Sequence, residues 1–277
     1  MDLVKKIRIY RLAQATNPPP QRYIDMAGNL FDGIARFDVT FYESLARMVE
    51  EEAAQPRDLV ALGELRSIGI EKGKPFKPDA AMREILNKAV LEARAGFIQS
   101  NYALPPFREG AQWAIPAKEV ALRTAFSFHD GQRLALDERA AFFFLGCAPP
   151  VKGGASFYLF GSKDAKAAPL EGGKSYRLHV PPKVPARQFW ALTVYDLEEA
   201  NFIRESPKVE VNSYQNLQKN ADGSVDVFFG PKAPDGKESN WVYTAPGTRW
   251  VSLFRFYGPE KALLDKTWTL PDIEEAR

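Results

Sequence analysis

From residue 115 onward the chain alternates apolar with polar residues, and turn residues break the alternation at short intervals. These are His129-Asp130-Gly131, Lys152-Gly153-Gly154, Glu171-Gly172-Gly173, Ala221-Asp222-Gly223 and Pro234-Asp235-Gly236. A side-chain period of two sends successive residues to opposite faces of a sheet, so the segments between the turns read as strands: Ser156–Phe160, Ser175–Val180, Gln188–Tyr195, Ser224–Phe229 and Trp250–Tyr257. Short strands joined by tight turns pair as hairpins, and the last ~160 residues are therefore expected to form an antiparallel β-sandwich. In Trp250–Tyr257 one face carries Trp250, Ser252, Phe254 and Phe256, and the other Val251, Leu253, Arg255 and Tyr257. Both faces are largely apolar, which predicts a central strand.

Before residue 110 the period is helical. Thr40-Phe41-Tyr42-Glu43 fits a capping box, with Phe41, Leu45, Met48 and Val49 behind it as one stripe, so a helix is expected near 40–53. A second helix is expected over about 57–67. Asp79, after Pro78, stands where a cap belongs, and Met82, Ile85, Leu86, Ala89, Val90 and Phe97 continue at helical spacing. The opening residues, with NPPPQ at 17–21, read as an extended strand followed by a connection that cannot continue a helix. The fold class is α+β, with a boundary near residue 110 between a helical part, 1–110, and a β part, 111–277.

Composition bounds the function. The chain is 277 residues long and 45% hydrophobic, enough to fold without a disulfide or metal staple. Its net charge is +2 with the basic residues spread out, so no stripe advertises a nucleic-acid partner. No apolar run approaches the ~20 residues of a membrane span, and the start, MDLVKKIRIYRL, has no signal-peptide core; a cytoplasmic protein is expected. The one cysteine, Cys147, lies in the apolar run AFFFLGCA and reads as a small core hydrophobe.

Only two histidines occur, and neither HExxH nor CxxC is present, so a three-His metal site is excluded; carboxylates alone could still hold a metal, but no metal and no cofactor is expected. Gly173-Lys174-Ser175 misses the P-loop pattern because Ala168 stands in the place of its first glycine; GxGxxG and GxSxG are absent too. The oxygens of NADGSVD at 220–226 resemble a hard-cation loop, but Asp-Gly also makes a hairpin turn. His179, near a strand end before Pro181-Pro182, could serve as a general base or simply be satisfied structurally. The remaining candidates are polar and aromatic groups on apolar strands: Trp190, Tyr195, Asp196, Asn240, Trp241, Tyr243, Arg255, Tyr257 and Trp268. An arginine there needs a partner, since a buried unpaired charge costs several kcal/mol, and Asp196 is the expected one.

The runs VPARQFWALTVYD (184–196), NADGSVDVFFGPKAPDGKESNW (220–241) and RFYGPEKALLDKTWTLPDI (255–273) resemble bacterial proteins built from two paired domains of unknown function, numbered 1254 and 1214. IGIEKGKPFKPD (68–79) is similar to the connecting region of the longer members. The resemblance implies a jelly-roll-like sandwich with helices inserted before it. It further implies that residues 1–37 are the tail of the first domain, and that a periplasmic or secreted setting is open. It transfers no catalytic residue.

Two functions follow as expectations. The first is a binding or structural protein that oligomerises and offers an aromatic-lined site to a small-molecule or carbohydrate-like ligand through Trp190, Tyr195, Asn240, Trp241, Tyr243 and Trp268. The alternative is a metal-independent hydrolase or lyase with Asp196 or His179 as base, Tyr195 or Tyr257 as proton donor and Arg255 stabilising an anion.

Overall fold

A computed structural model describes residues 2–26, 28, 29, 36–146 and 155–276, which divide into two compact units, 1–35 and 36–277. Cys147 and the Lys152-Gly153-Gly154 turn lie outside the described residues. The first unit corrects the expected opening strand: its described residues hold only two 3₁₀ turns, Val4–Lys6 and Leu12–Gln14. Ile7, Ile9 and Leu12 are exposed. A strand with no neighbour to pair with and no core to cover does not persist.

In the second unit α1 spans Thr40–Glu51, but the expected capping box is absent. The cap comes from Asp38 instead, whose Oδ1 accepts from the Thr40 N–H (2.8 Å) and from the Thr40 hydroxyl. Thr40 thus spends its hydroxyl as a donor instead of accepting from the third helical N–H, and the two bonds hold the Asp38 carboxyl below its usual range. A 3₁₀ turn, Pro56–Asp58, carries a capping box between Gln55 and Asp58 and leads into α2, Leu59–Ser67. Helix α3, Ala80–Tyr102, begins as read, with Asp79 Oδ1 accepting from the Met82 N–H at 2.8 Å. Leu86, Val90 and Ile98 are its buried positions; Ile85, expected on the buried stripe, is exposed.

The alternation does not start at 115. After the short β1, Trp113–Ala114, come α4, Glu119–Arg123, and the hairpin β2–β3, His129–Asp130 with Arg133–Leu134. Then α5, Leu136–Gly146, takes up much of the apolar run before Cys147. Phe128, Phe142, Ala117, Ala121 and Ala135 make a small core of their own there.

The five expected strands are all present: β4 (Ser156–Gly161), β5 (Tyr176–Val180), β6 (Ala186–Asp196), β8 (Val225–Gly230) and β10 (Trp250–Pro259). Three short ones join them, β7 (Glu210–Asn212), β9 (Trp241–Tyr243) and β11 (Glu274–Glu275), and α6, Lys261–Leu264, follows β10. One sheet runs β1-β4-β10-β6-β7, the other β11-β5-β8-β9. β10 is central as its two apolar faces predicted. All named pairings are antiparallel except β8–β9, which is parallel and corrects the all-antiparallel expectation. The inner faces share one core: Leu159, Leu192, Val194, Trp250, Phe254 and Phe256 from the first sheet meet Leu178, Val180, Val227, Phe229 and Val242 from the second. The protein is thus α+β, with a two-sheet core.

Candidate functional site

Register decides which candidates can meet. On the outer face of the five-stranded sheet, Tyr257 lies opposite Phe189 and Ser156, Arg255 opposite Ala191 and Tyr158, and Leu253 opposite Thr193 and Phe160. β7 extends the rows with Asn212 beside Ala191 and Glu210 beside Thr193. One end of this face is roofed by Ile98 and Leu104, which pack with Phe160, Leu197, Val251, Tyr195 and Leu253. Beyond it the aromatics open outward: Tyr214 is 74% exposed and Tyr158 36%.

Arg255 is the centre of the open part. Its Nη1 donates to Thr193 Oγ1 (2.7 Å) and its Nη2 to the Tyr195 hydroxyl (2.6 Å). The guanidinium carbon stands 5.4 Å from the Tyr158 ring and 5.6 Å from the Tyr195 ring. Thr193 passes its own proton on to Glu210 Oε2 (3.3 Å), and Asn212 donates to Glu210 Oε1 (2.9 Å). No carboxylate among the described residues pairs with Arg255 directly. Beside it Phe189 is sandwiched between Tyr257 (4.1 Å, 8°) and Tyr214 (4.9 Å, 28°), a stacked column along the edge of the face. Burial, with Tyr158 adding, pushes the Tyr257 phenol up against the weaker pull of Arg255, so it stays a neutral hydroxyl at physiological pH. The small, buried Ala191 lies between Arg255 and Asn212 across the sheet and between Phe189 and Thr193 along β6.

The expected Asp196–Arg255 pair is not formed. Asp196 lies opposite Trp250, five residues along β10 from Arg255, or about 17 Å at strand rise. It is buried, and its Oδ1 accepts from the N–H groups of Glu198 (2.8 Å) and Glu199 (2.9 Å), fixing the turn after β6.

The other candidates divide between core and second sheet. Trp190 points inward and stacks on Phe254 at 5.2 Å. Trp268 meets Phe256 edge-on at 5.8 Å, with its indole N–H donating to Pro182 O (3.2 Å). Asn240 is buried, accepting from Gln218 N and donating to the carbonyls of Gln218 and Asp226, so it staples β8 to the loop before it. Trp241 and Tyr243 lie on β9, half-buried, 6.2 Å apart and edge-on. His179 Nδ1 lies 2.8 Å from Asp226 Oδ1 across the β5–β8 pair, and Arg177 and Asn220 reach the same carboxylate at 3.2 Å each. Asp222 is spent on its own turn, accepting from Ser224 N (3.0 Å) and Ser224 Oγ (2.6 Å), with Gly223 at φ +83° as a tight turn requires. Among the described residues no group of three or more His, Cys, Asp or Glu side chains could hold a metal ion, and no helix is long and apolar enough to cross a membrane.

The sequence reading named Tyr195, Arg255 and Tyr257, which do share this face. It missed Tyr158, Phe189, Thr193, Glu210, Asn212 and Tyr214. Alternation along β4 and β6 could have placed Tyr158, Phe189 and Thr193 on the face of Arg255; β7, only three residues long, gave no periodic signal.

Residues 155–261 match a family described as a protein of unknown function, DUF1214. No curated protein matches the chain. Among solved structures it is similar to the VPA0106 protein of Vibrio parahaemolyticus, at 16% identity and a TM-score of 0.41, covering 94% of this chain and 59% of that one. It is also similar to an uncharacterized protein of Burkholderia cenocepacia, at 14% identity and a TM-score of 0.35, covering 85% of this chain and 50% of that one. The chain thus spans between half and three-fifths of these structures.

Proposed function

We propose that this protein binds a small, carbohydrate-like acid on the outer face of its five-stranded sheet. A single observation carries the reading: Arg255 is half-buried between two tyrosine rings and donates to neutral hydroxyls, with no directly paired carboxylate among the described residues. A guanidinium so placed reaches Glu210 only through the Thr193 hydroxyl, and a ligand carboxylate would pair with it directly through charge-assisted hydrogen bonds. Glu210 and Asn212 accept and donate to ring hydroxyls, and the Tyr257–Phe189–Tyr214 column offers an apolar flank to a sugar ring. The unit carrying this face we read as a jelly-roll-like sandwich beginning near residue 111, preceded by the tail of a domain of the 1254 type.

Calorimetry with glucuronate, galacturonate and glucose tests the proposal. A saturable heat is expected for the acids and none for glucose. Arg255→Gln, checked for an intact fold by near-ultraviolet circular dichroism, should weaken binding about 10- to 100-fold, the worth of one charged hydrogen bond. Equal affinity in the variant, or no heat with either acid, would rule the reading out.

A second reading, acid–base catalysis, is favoured by the His179–Asp226 contact, which leaves His179 Nε2 available as a base with Asp226 orienting the ring. It places that chemistry on the other sheet, away from Arg255.

A further inference from the structure

A cleft of about 400 Å³ separates α3 from the turn after β6, and its volume lies within the range of small-molecule sites. Leu91, Ala95 and Ile98, at helical spacing on α3, make one apolar wall; Arg94, Glu198 and Arg249 make the polar end. Leu91 is half exposed at this cleft, an apolar side chain left without full cover. We propose that the cleft binds an organic monocarboxylate with an apolar body, and that the Glu198 carboxylate occupies the place of the ligand's carboxylate when the cleft is empty.

The geometry of Glu198 carries this. Arg249 directs both Nε (2.9 Å) and Nη2 at the one oxygen Oε1, rather than forking across both oxygens. Among the described residues, Oε2 makes a long ion pair with Arg94 Nη2, at 3.7 Å, and the same nitrogen lies 3.6 Å from Glu199 Oε1. The Arg94 hydrogen bonds go to the Glu198 backbone carbonyl, at 3.2 and 2.8 Å, while the Glu198 N–H is held by Asp196. The backbone of Glu198 is therefore anchored at both ends independently of its carboxylate. Its side chain can rotate into solvent without unpicking the turn or releasing α3. A ligand carboxylate entering in its place takes over the Arg249 bonds, beside the Glu199 carboxylate that lies 3.6 Å from Arg94, and brings an apolar body to cover Leu91 and Ala95, which Glu198 cannot do.

The test is titration of the full chain with hexanoate, followed by amide chemical shifts, beside hexanol as the same body without the charge. Hexanoate is expected to bind saturably at α3 and at residues 196–199, and hexanol not to bind. Glu198→Gln weakens the internal competitor and should tighten hexanoate about tenfold, whereas Arg249→Gln should abolish binding. Arg255→Gln should leave hexanoate affinity unchanged, which separates this site from the sheet-face site. Absence of hexanoate binding in both the wild type and Glu198→Gln would overturn the proposal, as would looser binding in Glu198→Gln; this comparison decides even if Arg249→Gln fails to fold.

Discussion

Gly172 sits where a Cβ would come within 1.9 Å of the Ala245 carbonyl oxygen. The Gly172 N–H donates to Thr248 O (2.8 Å), and its own carbonyl accepts from the Thr244 hydroxyl (2.8 Å), so two loops are drawn together over a residue with no side chain. Gly172→Ala must push backbone from backbone and is expected to cost about 1–3 kcal/mol or more, read as a drop in the urea midpoint. An unchanged midpoint would mean that the loops part freely. The sequence marks Glu171-Gly172-Gly173 as a turn but cannot say which glycine is sterically required, because the constraint comes from a loop more than seventy positions away. Arg255 shows the same limit. Its need for a partner was legible from an arginine on an apolar strand, but the partner's identity depends on register, and register put Thr193 and Tyr195 within reach and Asp196 far along the strand.

The cap at Asp79 and the strand alternation are local signals that the structure bears out. Asp79 caps α3 as its position after Pro78 indicated, and Asp79→Ala is expected to lower stability by about 0.5–2 kcal/mol, with a loss of helical signal at 222 nm near the transition. The five strands of alternating pattern appear at or within a few residues of their expected bounds. The miss lies between 115 and 146, where alternation was expected and the chain forms α4 and α5 instead, with Phe142 packed against Phe128. At α1 the Thr40 hydroxyl was expected to accept from the helix, but it donates to the Asp38 carboxylate instead, and the Glu43 N–H goes to the Val39 carbonyl.

The β5–β8 pair carries a pH signature at the same scale. Burial pushes the Asp226 carboxyl up, but hydrogen bonds from His179 and Asn220, and the charge of Arg177, outweigh it and hold the carboxyl below its usual range. A carboxyl with a lower pKa folded than unfolded stabilises the protein above the ordinary value of about 3.9, and that contribution is lost as pH falls through the folded value. Asp226→Asn should therefore be less stable than wild type at pH 6, and the difference should close as the pH falls below about 4. A gap that stays constant down to acid unfolding would show that the carboxylate charge contributes nothing.

Across the molecule, the candidate residues sort by which side of a sheet they occupy. Trp190 and Trp268 face the shared core and Asn240 is buried, so three of the side chains expected to line a ligand site serve packing. What remains outside is ordered: a column of three stacked rings and an arginine that donates to two neutral hydroxyls, on a sheet whose other end is closed by Ile98 and Leu104. The most direct test is to titrate the chain with glucuronate while following the Arg255 side-chain Nε–H and the ring protons of Tyr158, Tyr195, Tyr214 and Tyr257. The account predicts saturable shifts confined to that set, with His179 and the cleft beside α3 unmoved. Shifts centred elsewhere, or none at millimolar ligand, would contradict it.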